Sequence, residues 1–337
     1  MRREWEALLF NDVLGKPAWI WLLFIFVVLV LLVLDLGILN RKVREITAVR
    51  SLWMSLFYIG IACAFGVFVW WELGGESGIA YFTGFFIEKT LALDNIFVVS
   101  LIFATLAIPS SLQHRVLFWG ILGVIVLRAI MIGLGAALVS QFGWVLWLFG
   151  AFLLATGIKI LVMGDKPMNL EESAVLRLMR RHFRITEGLH GERFLVRLPD
   201  PTTGRMATWL TPLFLALILV EIADLIFAID SVPAIFAITT DPYIVYTSNI
   251  FAILGLRALY FALAAMVHRF RYLKPALALV LVFIAGKIFW NQVFGKLDPA
   301  ISLTVTLALL GGGVVVSLLR TRRELPPTAL TANQESA

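Results

Sequence analysis

Two otherwise apolar segments of this sequence carry carboxylates. EKTLALDNI runs from Glu88 to Ile96, and DLIFAIDSV runs from Asp224 to Val232. Each contains an acid, five further residues, an aspartate (Asp94 or Asp230) and then a short polar residue. Because a charged side chain in hydrocarbon costs about 2.5–3.5 kcal/mol on insertion scales, these acids predict either a functional site or a set of internal ion pairs.

The ligand types around these acids favour a hard divalent cation. Carboxylate, amide and hydroxyl oxygens suit magnesium, calcium or manganese, whereas zinc and copper sites favour histidine or cysteine. No histidine falls within a predicted span, and Cys63 is the only cysteine. We therefore predict Glu88, Asp94, Asp224 and Asp230 as metal ligands, with secondary or coupling roles for Asn95, Glu221, Ser231 and Asp35.

Helix geometry limits how the two acids of one segment can meet. A step of six residues turns a regular helix by about 600°, which leaves the two side chains about 120° apart. Either two helices converge and each contributes one acid, or a helix is interrupted. Pro233 lies three residues after Asp230 and frees a backbone carbonyl near Ile229, which predicts a break there. Glu221 and Asp224, three residues apart, share one helix face.

Nearby bases are interpreted as counter-charges rather than ligands: Lys89, Arg128 and Arg257. An alternative interpretation makes the same groups purely structural. In that case Glu88 would pair with Lys89, Asp94 with Arg128 and Asp230 with Arg257. The residue types alone do not decide between a transport site and helix-to-helix ion pairs.

The composition identifies the elements that must position these groups. The chain is 61% hydrophobic and only 15% charged, whereas soluble domains carry about 25% charged residues. Stretches long enough to cross a bilayer, about 20 residues each, predict an all-α membrane protein with about nine transmembrane helices. The predicted spans are 18–39, 52–72, 79–107, 116–138, 143–163, 208–238, 246–267, 275–293 and 299–319. Asn249, near the start of span seven, is interpreted as a helix cap or a polar contact.

The connections predict the orientation and the domain limits. Those after spans one, three, five and seven, and the tail, carry bases, whereas those after spans two, four and six carry none. The positive-inside rule then places the N-terminus outside and the C-terminus in the cytoplasm of a bacterial-type inner membrane. We predict an extracytoplasmic segment 1–17, spans 18–163, a cytoplasmic loop 164–207 with a small hairpin at 193–208, spans 208–319 and a disordered cytoplasmic tail 320–337.

Three charged landmarks recur in the same order along the chain. After the two acidic segments come VLRAI with Arg128 and GLRAL with Arg257, and then TGIKI with Lys159 and AGKIF with Lys287. We therefore predict that spans three to five and six to eight are two copies of a three-helix unit. Because three is odd, the second copy must enter the membrane from the opposite side. Such an inverted repeat is typical of secondary transporters, whose substrate sites lie near the midplane between the repeats.

Three stretches resemble a known family. EKTLALDNIFV, FLALILVEIADLIFAIDSVPAIFAIT and TSNIFAILGLRALYF are similar to the TerC family, and to its Alx branch in particular. The resemblance extends over nearly the whole chain, and the family resembles the LysE-type exporters, which share inverted three-helix repeats. Carried over by position, the family's acidic residues fall on Glu88, Asp94, Asp224 and Asp230.

The resemblance implies manganese export, with Mn(II) as transported substrate rather than cofactor. Exchange for protons is compatible with buried carboxylates but is not decided by the residues. The alternative is a non-transporting membrane platform for metallation, or for tellurite or alkaline stress, that acts through partner proteins. One cysteine and no histidine in any span argue against an enzyme. The expected partners are the lipid bilayer and a divalent ion but no nucleic acid, while homo-oligomers and membrane or secretory partner proteins stay open.

Overall fold

The computed structural model describes residues 11–37, 48–163, 178–179, 181, 183–199, 204–263, 273–295 and 297–324. Within those ranges, backbone alone is described for residues 35–37, 48–49, 93–94, 97, 163, 230, 257, 262–263, 273–274, 318 and 320–324. The predicted ligands Asp94 and Asp230, the base Arg257 and the coupling residue Asp35 therefore have side chains outside the described part.

Ten helices make up almost all of the regular structure in the described residues. They are α1 Ala18–Gly37, α2 Ala48–Leu73, α3 Gly75–Thr105, α4 Ser110–Gln141, α5 Val145–Met163, α6 Pro212–Phe236, α7 Pro242–Leu254, α8 Leu256–Leu263, α9 Leu273–Val293 and α10 Pro299–Glu324. Each predicted span overlaps a helix, and the seventh overlaps both α7 and α8. The prediction of an all-α membrane protein is confirmed.

Seven segments of the described chain are long and apolar enough to cross a bilayer, and the shorter apolar segment Ala18–Leu34 precedes them. Helix α3 is absent from the seven for a specific reason. Every stretch of 18 residues in α3 contains Glu88 and Lys89, together with either Glu76 or Asp94. The helix that carries the first acidic segment is therefore too rich in charged residues to be counted among the seven apolar segments.

Short strands flank the bundle at two places. Strands β1 Asp12–Val13 and β2 Lys16–Pro17 pair antiparallel just before α1. Strands β3 Leu195–Pro199 and β4 Met206–Leu210 form the second antiparallel pair, as the sequence predicts for 193–208. Because β4 occupies the residues up to Leu210, the sixth helix begins at Pro212 rather than at 208.

Two further sequence predictions are wrong in detail. Helix α10 continues to Glu324, so the predicted disordered tail does not begin at 320. Helix α6 runs through Pro233 without interruption. Ser231 to Ala237 are all buried, and packing against neighbouring helices compensates for the hydrogen bond that proline cannot make.

The interruption lies in span seven instead. Helix α7 ends at Leu254, Gly255 forms its C-cap, and α8 begins at Leu256. A Cβ atom on Gly255 would lie 2.8 Å from the Nζ atom of Lys89 and 3.1 Å from the Cβ atom of Tyr58. A side chain at this position would have to displace the end of Lys89 and press on Tyr58, so glycine suits the close approach at the break.

The packing of the helices brings the acidic segments together. Helix α3 packs against α6 and α7, and α4 packs against the same two helices. Helices α5 and α9 pack so closely that a Cβ atom on Gly157 would lie only 2.9 Å from the carbonyl oxygen of Ala278. The polar centre of the bundle is therefore enclosed by α3, α4, α6 and α7.

Candidate functional site

The guanidinium of Arg128 lies at the centre of the four helices. Arg128 projects from α4 and is 1% exposed. Its Nη1 atom is 2.9 Å from the Oε1 atom of Glu88 on α3, and its Nη2 atom is 3.2 Å from the Oδ1 atom of Asp224 on α6. The Nε atom of Arg128 also donates to the Oδ2 atom of Asp224 at 3.3 Å, so the second contact is bidentate. One base thus joins the first acid of each acidic segment.

Two asparagines complete the coordination of these carboxylates. The Nδ2 atom of Asn249 on α7 donates to the Oε2 atom of Glu88 at 3.2 Å. The Nδ2 atom of Asn95 on α3 donates to the Oδ1 atom of Asp224 at 3.4 Å. All four carboxylate oxygens of Glu88 and Asp224 therefore face an N–H donor.

Arg128 has further acceptors beside the two acids. Its Nη1 atom lies 2.6 Å from the hydroxyl oxygen of Ser231 and 3.1 Å from the Oδ1 atom of Asn249. Ser231 and Asn249 are buried, at 1% and 0% exposure. The guanidinium is consequently surrounded on several sides by oxygen acceptors from three helices, which is how a buried charge avoids a large desolvation cost.

A cavity of about 40 Å³ opens beside this cluster. Asn95 and Asp224 are its polar lining residues, and the remaining wall is apolar apart from backbone, with α3, α4, α6, α7 and α8 all contributing. The Oδ1 atom of Asn95 is buried without a hydrogen-bond partner among the described residues. An amide oxygen next to a carboxylate at a cavity is a suitable ligand for a hard cation.

Glu221 lies one turn before Asp224 and occupies a groove on α4. A Cβ atom on Gly123 would collide with the Oε1 atom of Glu221, and one on Gly120 would lie 3.9 Å from the same atom. Gly120 also lines the cavity. The Oε2 atom of Glu221 is buried without a partner in the described part of the chain. Two unsatisfied oxygens therefore occur near Asp224, one on Asn95, which donates to Asp224, and one on Glu221, one helical turn before it.

Lys89 does not pair with Glu88. Its Nζ atom donates to the carbonyl oxygen of Ala252 at 3.0 Å. Ala252 lies in the last turn of α7, where backbone carbonyls have no partner within the helix. Lys89 therefore acts on the end of the interrupted helix, which gives it a different role from the predicted counter-charge of an adjacent acid.

The structure brings part of the predicted site together, and some of the other predicted side chains lie outside the described residues. Glu88, Asp224, Asn95, Ser231 and Arg128 meet as one cluster. Of the four predicted metal ligands, only the side chains of Glu88 and Asp224 are described, and no group of three or more metal-ligating side chains occurs in the described residues. In the described residues Arg128 forms ion pairs with Glu88 and Asp224, whereas the pairings that the sequence suggested for Asp94 and Asp230 involve side chains outside the described part.

Asn249 makes the polar contact that was one of its two predicted roles, and it is not a helix cap. Helix α7 begins at Pro242 and its cap is Asp241, whose carboxylate accepts from the backbone N–H of Tyr243. Asn249 lies a further two turns along the helix and bridges Glu88 and Arg128. An amide side chain within an apolar segment is the sequence feature that indicates a role for Asn249 in the site.

Residues 73–325 match the family model for integral membrane proteins of the TerC family. The match covers α3 to α10 and every residue of the cluster. The chain belongs to the TerC family. Its relationship to the Alx branch follows from relatives at 44% to 45% identity.

Similar proteins occur in several bacteria. A Rickettsia bellii protein named "Uncharacterized membrane protein" is 47% identical over 89% of this chain and 97% of its own length. A Myxococcus xanthus protein with a name of the same kind is 46% identical over 92% of this chain and 94% of its own. An Escherichia coli K12 protein, named "Putative membrane-bound redox modulator Alx", is 44% identical over 80% of this chain and 85% of its own. No solved structure matches this TerC-family chain.

Proposed function

We propose that this TerC-family protein exports a divalent cation, with Mn(II) as the main substrate. The observation that carries the proposal is an unsatisfied oxygen at the cavity. Burying a polar oxygen without a partner costs free energy, yet the Oδ1 atom of Asn95, which lines the cavity together with Asp224, is left in this state. The Oε2 atom of Glu221, one helical turn before Asp224, is unsatisfied in the described residues as well. A cation entering from the cavity would satisfy the oxygen of Asn95.

The ligand chemistry supports a hard cation. Glu88 and Asp224 contribute carboxylates, Glu221 supplies a third carboxylate one helical turn away, and Asn95 contributes a neutral oxygen. Arg128 is the one base that forms an ion pair with any of these three acids in the described part of the chain. An excess of carboxylate charge around neutral oxygens suits Mg, Ca or Mn, and the family resemblance selects Mn(II) among them.

The pattern of helix contacts supports an inverted repeat whose two halves move relative to each other during transport. If α3, α4 and α5 correspond to α6, α7 and α9, then the contact of α3 with α7 corresponds to the contact of α4 with α6. The contact of α5 with α6 corresponds likewise to that of α3 with α9. The pairs α3 with α6, α4 with α7 and α5 with α9 map onto themselves. This exchange is what a two-fold axis between repeats produces, and it suits alternating access of the kind found in LysE-type and other secondary transporters.

The position of the cavity supports an entry route from the cytosol. Its lining comes from the second half of α3 and the first half of α4, together with Asp224 and its neighbours on α6. The basic connections predict that this end of the bundle faces the cytoplasm. On this proposal, cytosolic metal reaches Asn95 first and then the acids at the centre.

A membrane platform that works through partner proteins is the second candidate. The hairpin β3–β4 presents Leu195 and Met206 on one face, at 50% and 66% exposure. It is tied to the start of α4, where Arg115 pairs with Glu192 at 2.6 Å and lies over the ring of Phe194. A folded, docked hairpin with exposed apolar side chains is suitable for binding a protein. A redox function is less favoured, because a single cysteine cannot form an internal disulfide.

Mn(II) efflux from loaded vesicles tests the proposal. We expect wild type to move Mn(II), and Asp94→Asn and Asp230→Asn to insert normally but to transport at least about tenfold more slowly, as expected when a carboxylate ligand is lost. Asp224→Asn should lose transport too, and it should also be less stable because Arg128 loses a partner. Glu76→Gln is the matched control, because Glu76 is exposed in the first turn of α3. Full transport by the three variants would show that the acids are structural, and absence of transport by wild type would favour the platform.

A further inference from the structure

The carboxylates that the proposed function assigns to the metal are already occupied by a cation of the protein itself. Each oxygen of Glu88 and Asp224 receives an N–H donor, and Arg128 supplies the donors to Glu88 Oε1 and to both oxygens of Asp224. A metal bound by oxygen ligands lies about 2.0–2.6 Å from them. It would take the space and the lone pairs that the guanidinium now uses.

We propose that Arg128 is an internal substitute for the transported cation, an inference that rests on the proposed function. When no metal is present, the guanidinium neutralises Glu88 and Asp224. When metal binds, the guanidinium leaves the two acids. Metal and Arg128 thus compete for one carboxylate pair.

The surroundings of Arg128 provide a second position for the displaced guanidinium. Ser231 and the Oδ1 atom of Asn249 already accept from its Nη1 atom at 2.6 and 3.1 Å. These acceptors come from α6 and α7 and are neutral. A small displacement toward them would keep the guanidinium hydrogen-bonded within the bundle, so metal binding does not require Arg128 to reach solvent.

The competition between metal and Arg128 affects how the metal-free transporter returns to its starting conformation. Two buried carboxylates without a counter-ion are strongly destabilising, and this would oppose any rearrangement of α3 and α6 after the metal has left. With Arg128 in place the empty site is charge-paired, so the repeats can move without metal. Arg128 is therefore a positioning residue for the metal-free half of the cycle, and it lowers the apparent affinity for metal by holding a competing state.

Two transport assays on the full chain in liposomes separate this role from simple metal binding. Net Mn(II) flux into a metal-free compartment requires the empty protein to return, whereas exchange of radiolabelled Mn(II) for unlabelled Mn(II) does not. For Arg128→Gln we expect net flux to fall at least about tenfold and exchange to stay within about twofold of wild type. We also expect Mn(II) to bind more tightly, because the competing state is lost. Lys159→Gln is the control, since Lys159 is exposed on α5, and it should change neither assay.

Equal loss of net flux and exchange, or weaker Mn(II) binding, would overturn the proposal for Arg128. If wild type transports Mn(II) in neither assay, the proposed function is overturned instead. Because Arg128→Gln exposes unpaired acids, its thermal unfolding is measured with and without Mn(II). We expect Mn(II) to stabilise it more than it stabilises wild type. Should that variant fail to fold, Arg128→Lys decides. Lysine lacks the planar fork that binds Asp224 through two N–H groups while also contacting Glu88, so it competes less well with metal. Tighter Mn(II) binding therefore supports the proposal, and unchanged or weaker binding refutes it.

Discussion

Glu221 and Asp224 lie one helical turn apart on α6, yet their carboxylates have different surroundings. Asp224 accepts from Arg128 and Asn95. Glu221 has one oxygen that is buried without a partner in the described part of the chain, and it lies against two glycines of α4. Removing a charge from a satisfied pair and removing one from an unsatisfied group should therefore change stability in opposite directions.

Glu221→Gln is expected to fold at least as stably as wild type but to lose Mn(II) efflux by about tenfold or more. The amide keeps the shape of the side chain and removes an unpaired buried charge, while a metal loses a carboxylate ligand. Glu88→Gln provides the contrast, because it takes a partner from Arg128 and should cost about 3–5 kcal/mol. Thermal unfolding in detergent and vesicle efflux measure the two effects. A Glu221→Gln protein as unstable as Glu88→Gln would contradict this account.

At the scale of the elements, small residues on α4 leave the space that the side chain of Glu221 on α6 occupies. Gly120 and Gly123 lie on the face toward Glu221, where any side chain would meet its carboxylate. The interrupted helix shows a similar dependence, because Lys89 reaches Ala252 only where Gly255 leaves space. Close approach of this kind is how membrane helices bring backbone and polar groups into contact.

Gly123→Ala is expected to displace the carboxylate of Glu221 from its groove and to reduce efflux several-fold, with a smaller effect on folding. The end of a glutamate side chain can rotate away, so the helices need not separate. Gly133→Ala is the matched control on the same helix, since no atom lies within 4 Å of a Cβ atom built there. Efflux and thermal unfolding are compared for both variants, and an equal effect of the two substitutions would argue against a role for the groove.

At the scale of the whole molecule, the two short sheets mark opposite ends of the bundle. Strand β2 is tied to the start of α7 by an ion pair between Lys16 and Asp241 at 2.9 Å. Hairpin β3–β4 contacts the start of α4 through Arg115 and Glu192. The first end carries the segments that the loop charges predict outside the cell, and the second carries those predicted in the cytoplasm. The arrangement agrees with alternating crossings.

Labelling of substituted cysteines tests this orientation. In a Cys63→Ala background, which removes the only native cysteine, Asp12→Cys should react with a membrane-impermeant maleimide in intact spheroplasts. Arg197→Cys on β3 should react only after the membrane is permeabilised. Both positions are exposed, so access to the reagent depends on the side of the membrane. The reverse labelling pattern would invert the proposed direction of transport and the assignment of the cavity to the cytosol.

The sequence by itself determined the membrane class, the approximate spans, the hairpin at β3–β4 and the family, because hydropathy, turn residues and motif order are local properties. It also identified Glu88, Asp224, Asn95, Ser231 and Arg128 as candidates, since charged and polar groups are rare in hydrocarbon. Only the tertiary structure decided that Arg128 joins Glu88 to Asp224 and that Asn249 completes the cluster. It also decided that the helix breaks at Gly255 rather than at Pro233. These outcomes depend on how four helices rotate and approach one another, which residue spacing along one helix does not specify.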